Sequence, residues 1–529
     1  MKLNYKRTIL VGFAFMLITT FWQMYDGVVA KILVNTFGLN QTWSGVLMAL
    51  DNLLALILLP LFGLWSDRTN TKLGRRTPYI LVGTIVAAVF VVALGLIDYY
   101  QYQAVNNFGI SAIMQTADHT QFYFTYPNEL GGIETVMMAD KGDLSLERSK
   151  VILANVTKKD PTMLILFVLV LLVVLVAMSS FRTPAVSLMP DVTPKPLRSK
   201  ANAIINLMGT VGGIIALGYM TFLTNETSNA FTKYRYIPTI VTTSIVILIM
   251  LTVFLSTVRE KKWVEDMQKV SLQYNLNDED VLMKTDGSEE TNEENSEETG
   301  KKAKKKKKQR VRHTMDKKVF VSFVLILSSV VLWFMGYNAA TSKFSLYATD
   351  VLNQKTFTLP LMVAYGTALV AFIPIGFISS KFGRRKTILA GIIIMTTAFV
   401  LGIFARPNTA WLMYITMGVA GIGWATINVN SYPMVVELAS KDNVGVFTGY
   451  YYTASMAAQI ITPILSGAIM DAFGSYKPLF YYSAIFCGLS FVTMFFVKHG
   501  DAKKIDDIKL ATPNNVDVEE AIDTKESNE

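Results

Sequence analysis

An all-α membrane protein of twelve transmembrane helices in two six-helix repeats, with both termini cytoplasmic, is what this sequence predicts. Three observations carry that expectation. The chain has 529 residues, 52% hydrophobic and only 17% charged, whereas a soluble protein carries about a quarter charged residues. Its apolar residues fall in blocks long enough to cross a ~30 Å hydrocarbon core. Matching motifs also recur at a spacing of about 312 residues.

Taken in order, Lys2, Lys6 and Arg7 precede the first apolar run. That run is too long for a signal peptide, contains Asp26 and lacks a small-residue cleavage site, so it reads as a retained span. The first six spans are expected near 8–37, 42–66, 77–97, 161–190, 201–222 and 236–258. The second six are expected near 318–350, 358–379, 387–404, 410–436, 445–471 and 479–498. Basic residues sort by side. Arg68, Lys72, Arg75, Arg76, Lys195, Arg198, Lys200, Lys381, Arg384, Arg385, Lys386 and Lys441 fall in alternate short loops. The opposite short loops hold only Lys233, Arg235, Lys355, Arg406 and Lys477. The positive-inside rule then puts the first set, and both termini, in the cytoplasm of a cell-membrane protein.

The domain plan follows: a first half at 1–258, a charged cytoplasmic linker at 259–317, a second half at 318–498 and a disordered tail at 499–529. The first half carries a polar outer insertion at 98–160. In the linker, "SEETNEENSEET" precedes "KKAKKKKKQRVRH". Such blocks resist burial, and the basic stretch 301–312 suits contact with anionic lipid. The net charge of +9 is a consequence of topology, with no nucleic-acid partner implied. The single cysteine, Cys487, lies in an apolar block and forms no disulfide framework. No nucleophile–base pair, metal spacing, phosphate loop or cofactor motif appears, which argues against an enzyme.

The halves repeat. "FWQMYDGVVAK" in span one answers "LWFMGYNAATSK" in span seven, and "GLWSDRTNTKLGRR" after span two answers "GFISSKFGRRK" after span eight. Asp191 and Glu437 each close a helix, spans four and ten. Two six-span repeats around a midplane cavity form the architecture of alternating-access carriers.

The stretch with Gly63, Asp67, Arg68, Gly74, Arg75 and Arg76 resembles the loop between spans two and three of the major facilitator superfamily. Its extended form, together with "FRTPAVSLMPDVTP" (181–194), is similar to the sucrose/proton symporter branch and the glycoside–pentoside–hexuronide:cation symporters. Asp191 followed by Arg198 also matches an acid-to-arginine motif of facilitator sugar porters. Ser380 and Val444 depart from the corresponding second-half motifs, as do Ala185 and Val186 from the sucrose carriers' span-four pattern. The resemblance implies a gating cluster of Gly63, Asp67, Arg68, Gly74, Arg75, Arg76, Asp191 and Arg198, with Gly383, Arg384, Arg385 and Glu437 in the second half.

Charges within the spans point to coupling. At 1.5 Å per residue, Asp26 stands roughly 28 Å above Arg7, Asp51 roughly 24 Å above Asp67, and Arg182 roughly 13 Å above Asp191. Intramembrane ionisable residues are costly and mark functional sites. Asp26 and Asp51 are therefore the candidate proton sites, with Arg182 as counter-charge; a static, ion-paired triad is the competing reading. The repeat supplies Asn338 for Asp26, Asn428 for Arg182 and Ala364 for Asp51. Lys31 lies about 140° from Asp26 around the helix, and both it and Lys343 are expected to snorkel outward. Aromatic planes beside amides suit a sugar, which nominates Trp22, Gln23, Asn52, Trp333, Tyr337, Asn338, Trp424, Asn428 and Asn430.

The expected function is import of a di- or oligosaccharide glucoside with protons by a monomeric carrier, without cofactor or metal. Sodium coupling and proton-coupled efflux of amphipathic compounds are the alternatives within the fold. A receptor or scaffold using the long loops is the alternative outside it.

Overall fold

The computed structural model describes residues 3–128, 130–194, 197–225, 234–273, 317–438 and 444–500. The basic stretch 301–312, the tail 501–529 and Lys195, Lys233 and Lys441 lie outside them.

Each half is a bundle of long apolar helices. The first contains α1 (Tyr5–Met24), α2 (Gln41–Arg68), α3 (Thr77–Phe108), α5 (Thr162–Val192), α6 (Arg198–Leu223) and α7 (Ile237–Thr257). The second contains α9 (Lys317–Ser342), α10 (Thr358–Phe382), α11 (Arg384–Ile403), α12 (Leu412–Glu437), α13 (Val444–Phe473) and α14 (Pro478–Phe495). Among the described residues, eleven helices are long and apolar enough to cross a membrane. At the expected eighth span, α10 qualifies only as a shorter apolar stretch, Thr358–Phe372. Prolines inside α2, α5, α10, α12 and α13 are tolerated because neighbouring helices and local adjustments satisfy the freed backbone groups.

Both leading helices continue past their regular part. After α1 come two wide π-helical turns, Tyr25–Val29 and Ile32–Thr36; after α9 come Phe344–Leu346 and one π turn, Tyr347–Val351. At the repeat spacing, Ile32–Thr36 falls on Phe344–Leu346 and the first residues of the π turn Tyr347–Val351. The turn at Tyr25–Val29 has no counterpart, because α9 stays regular past Asn338.

The insertion folds. Strands β1 (Met114–Gln115), β2 (Phe122–Pro127) and β3 (Ile133–Met138) form an antiparallel meander. Alternation turns Phe122, Phe124, Tyr126, Val136 and Met138 toward Leu144 and Ile152 of α4 (Lys141–Ile152), a small core of its own. Asp140 caps α4, accepting from the Gly142 N–H at 2.8 Å.

At the other end of the first half, the charged segment expected at 259–317 begins with a helix, α8 (Glu260–Gln273). Trp263 is buried, and Arg7 pairs with Asp266 at 2.8 Å while lying 5.3 Å from the Trp263 ring.

The halves touch through α2 with α13 and α6 with α10, pairs that the repeat exchanges. At the insertion end the contact is backbone to backbone: a Cβ on Gly45 would overlap the Pro463 carbonyl, and one on Gly467 the Gln41 carbonyl. Asp471 accepts from Gln41 N–H (2.9 Å) and Thr42 N–H (2.8 Å), and Thr221 and Thr358 share a hydrogen bond of 2.6 Å. The bundle is thus shut at the insertion end.

Candidate functional site

Asp26 lies in the π turn Tyr25–Val29. It is exposed, although Tyr25, Val28 and Val29 around it are at most 3% exposed. A π turn inserts one extra residue, which re-aims the side chains that follow and is frequent at functional sites. Asp26 therefore opens onto accessible space inside the bundle rather than packing into it. Asp51 on α2 lies within electrostatic reach of Asp26 on one side and Arg182 of α5 on the other. Asn52 donates to Asp51 at 2.7 Å. Arg182 stands 5.6 Å from the Trp22 ring centre, so Trp22 holds the guanidinium over its face. Arg182 thus answers Asp51 and not Asp26 directly. Gln23 is buried beside Gly213.

Across from this charged side, Tyr337 of α9 and Trp424 of α12 stack in parallel, their ring centres 4.1 Å apart. The Asn338 amide nitrogen is buried without a partner, and Asn428 is half-buried. Tyr365 of α10 joins the two sides. A Cβ on Gly213 would meet its ring at 3.5 Å and Gln23 Oε1 at 3.9 Å, and Tyr365 lies within reach of both Asp26 and Tyr337. Sequence reasoning missed Tyr365, the neighbour of Ala364, which the repeat sets opposite Asp51.

Two nominated residues face elsewhere. Trp333 is 1% exposed and packs in the helix core. Asn430 is buried and donates to Thr426 O (2.9 Å) in its own helix, so that donor is spent on the backbone. The lysines also correct the expectation. Lys31 is 1% exposed, 5.5 Å from the Phe357 ring centre, and Lys343 is fully buried, donating to Gln41 Oε1 at 3.2 Å. Neither snorkels. Each reaches the start of the second helix of the opposite half, where closure of the bundle covers it.

At the end away from the insertion, the predicted motif forms a cluster. Arg76 is buried and donates to Ser66, Asp67 and Asp191, the last at 2.8 Å. Arg75 pairs with Asp191 at 3.0 Å. Burial pulls the Arg76 guanidinium down, but Asp191 and then Asp67 outweigh it and hold it above its usual range. Gly63 allows α2 to approach Thr183 of α5, and Gly74 takes φ +115° with no room for a Cβ. That room is filled by Glu260, which sequence reasoning missed. Its carboxylate accepts from Arg75 N–H (2.8 Å), Arg76 N–H (2.9 Å), Thr77 N–H (2.8 Å) and the Thr77 hydroxyl (2.7 Å). These are orphan donors at the start of α3, where a carboxylate is favoured.

Arg198, the motif's last member, bonds to the backbone. It donates to Thr193 O and Pro190 O at 3.2 and 3.1 Å, finishing α5 rather than pairing with Asp191. Arg68 is exposed. In the second half Gly383 also has a positive φ, 91°. Arg384 pairs with the half-exposed Glu437 at 3.0 Å, and Arg385 donates to Phe495 O at 2.5 Å.

Comparison with known proteins places this geometry. The Major Facilitator Superfamily model matches residues 151–374 and 355–517, and the model described as MFS/sugar transport protein matches residues 8–117. The sucrose transport protein SUC3 of Arabidopsis thaliana is 32% identical over 62 residues, covering 12% of this chain and 10% of that protein. The MFS antiporter QDR2 of Candida albicans is 22% identical over 139 residues, covering 26% and 27%. These matches thus span about a quarter or less of the relatives' own length. The inward-open xylose transporter XylE from E. coli superposes with a TM-score of 0.56 at 14% identity, covering 94% of this chain and 97% of that one. The fold, the helix pairing and the family match agree: this multi-pass membrane chain belongs to the Major Facilitator Superfamily of transporters.

Proposed function

We propose that this chain imports a sugar, a di- or oligosaccharide glucoside, together with protons, by alternating access across the cell membrane. Asp26 carries the reading: it is an exposed carboxylate on a π turn in mid-bundle. With Asp51 and Arg182 on its own side and Tyr365, Tyr337 and Trp424 opposite, it offers acceptors to hydroxyls and an aromatic plane to a C–H face. Asp26 and Asp51 are the proton-carrying groups, and Arg182 exchanges partners as they load. The insertion end faces outside and both termini face the cytoplasm. The likeness to the sucrose transport protein SUC3 and the match of residues 8–117 to the MFS/sugar transport protein family support sugar as the cargo. The likeness to the antiporter QDR2 favours a second reading, efflux of an amphipathic compound against protons.

The deciding experiment records external pH in lightly buffered, de-energised cells expressing the chain during pulses of sucrose, maltose or melibiose. Alkalinisation with one sugar, abolished by Asp51→Asn, is expected. A flat trace with all three, at confirmed expression, rejects proton–sugar import and leaves sodium coupling or efflux.

A further inference from the structure

The helix α4 is rooted in the first half. A Cβ on Gly38 (φ +72°) would overlap the Ser149 carbonyl and crowd Leu153 N, so α4 lies directly on the end of the first span. Arg148 donates to Ser111 O at 2.8 Å and to Asn35 O at 3.3 Å, and Thr157 donates to Phe37 O at 2.7 Å. Burial pulls the Arg148 guanidinium down to about 10, which leaves it charged at neutral pH.

The first turn of the same helix is bonded to the second half. Asp140 pairs with Lys477 at 2.7 Å, Lys141 donates to Thr349 O at 3.0 Å, and Ser145 donates to the buried Asp350 carboxylate at 2.9 Å. Gly142 packs there as well: a Cβ on it would stand 3.2 Å from Val351 Cγ2 and 3.5 Å from the Tyr476 ring.

We propose that the first turn of α4 is a latch that holds the two halves together at the insertion end and releases in every transport cycle. The asymmetry of its attachments sets where it parts. Toward the first half α4 has backbone contact without clearance and a shared apolar core. Toward the second half it has polar bonds from Asp140, Lys141 and Ser145 and one small packed patch, all reformable in water. Opening that end therefore leaves α4 on the first half and separates Asp140, Lys141 and Ser145 from their partners. Asp350 then loses its cover and meets solvent, so the latch also sets how readily the end opens. Interfaces of this kind are bistable and pass between two discrete arrangements.

The test needs no substrate. Ser44, fully buried beside Gly45 in the closed joint, is replaced by Cys. Maleimide labelling at that residue is then followed by mass spectrometry on purified protein in detergent. Ser145→Ala with Lys477→Gln removes a bond to a buried carboxylate and an ion pair, and is expected to speed labelling by about tenfold. Gly142→Cys with Val351→Cys sets a Cβ at residue 142 within 3.2 Å of the γ position at residue 351, close enough for the two sulfurs to bond. Once oxidised, that pair is expected to slow labelling below the unlinked rate, and reduction is expected to restore it. Unchanged labelling in the first variant, an oxidised pair that labels as fast as the reduced one, or failure of the pair to oxidise overturns the latch.

Discussion

In the first half the leading helix widens into a π turn that carries a carboxylate, whereas the repeat-related stretch of the second half runs on as regular helix past Asn338. The same division holds through the site. Asp26, Asp51 and Arg182 all belong to the first half, and the second half answers with Tyr337, Trp424, Tyr365 and an amide. The gating motifs repeat the contrast. Arg76 is buried among two carboxylates, a hydroxyl and the backbone held by Glu260, while Arg384 is less buried and reaches the half-exposed Glu437 and the Pro433 carbonyl. Two copies of one plan have diverged, one toward charge and the other toward surface for a ligand to lie on. On the proposed function, a carrier built this way would concentrate its ion chemistry in one rocking body and could vary its cargo through the other.

The largest effect that follows is at Asp51. Asp51→Asn removes the charge shared by Asp26 and Arg182, and coupled uptake is expected to fall to background in the pH assay while exchange of cargo survives. Asn338→Ala, the comparable change in the second half, is expected only to raise the half-saturating concentration by about tenfold, through one lost hydrogen bond of ~1–1.5 kcal/mol. Equal loss of coupling in both variants would refute the division of labour.

Next in size is the gate. Arg76→Ala takes from Asp191 (14% exposed) the more deeply buried of its two arginines and strips Asp67 and Ser66 of the same partner, leaving only Arg75 on Asp191. It is expected to destabilise the protein by about 3 kcal/mol or more, as removal of one partner of a buried pair does. Arg384→Ala opens an exposed pair and should cost about 0–1 kcal/mol. Thermal unfolding in detergent orders the two. Glu260→Gln comes below Arg76→Ala, at about 1–2 kcal/mol, since the amide oxygen still accepts from the start of α3 but without its charge. Smallest is Trp424→Phe, which keeps an aromatic face on Tyr337 and should weaken binding by about 1 kcal/mol or less. Trp22→Phe is the matching change on the charged side, where loss of the indole face over Arg182 should instead alter the pH dependence of transport.

Much of this was legible in the sequence for physical reasons. The hydrocarbon core demands long apolar runs, so the spans announced themselves, and the motif with Gly74, Arg75 and Arg76 pairs with Asp191 because an acid and two arginines brought together at the bundle's end attract directly. The misses were non-local. Lys31 and Lys343 read as snorkelling because a lysine near a span end ordinarily does. Their burial comes from Phe357 and Gln41 of the opposite half, about 300 residues away in sequence. Glu260 sits among Arg259, Lys261 and Lys262, where an acid looks like part of a solvated charge run. Its role needs α8 folded back under α3. Tyr365 was missed by one position, since aligning spans two and eight fixes register along the axis and says nothing of rotation about it. Asn430 was over-read from its neighbour Asn428: on a helix, residues two apart point about 200° apart, so only one of them can face the cavity.

The bare joint of Gly45 with Pro463 and Gly467 with Gln41 has a consequence for anyone who would retrain this carrier. The atoms nearest each glycine are main chain, so an added methyl group would press on backbone and not on a side chain that could swing aside. Substitutions around Tyr337, Trp424 and Asn428 can be explored freely for new cargo. A library that also touches Gly45 or Gly467 will fill with proteins that bind and never turn over.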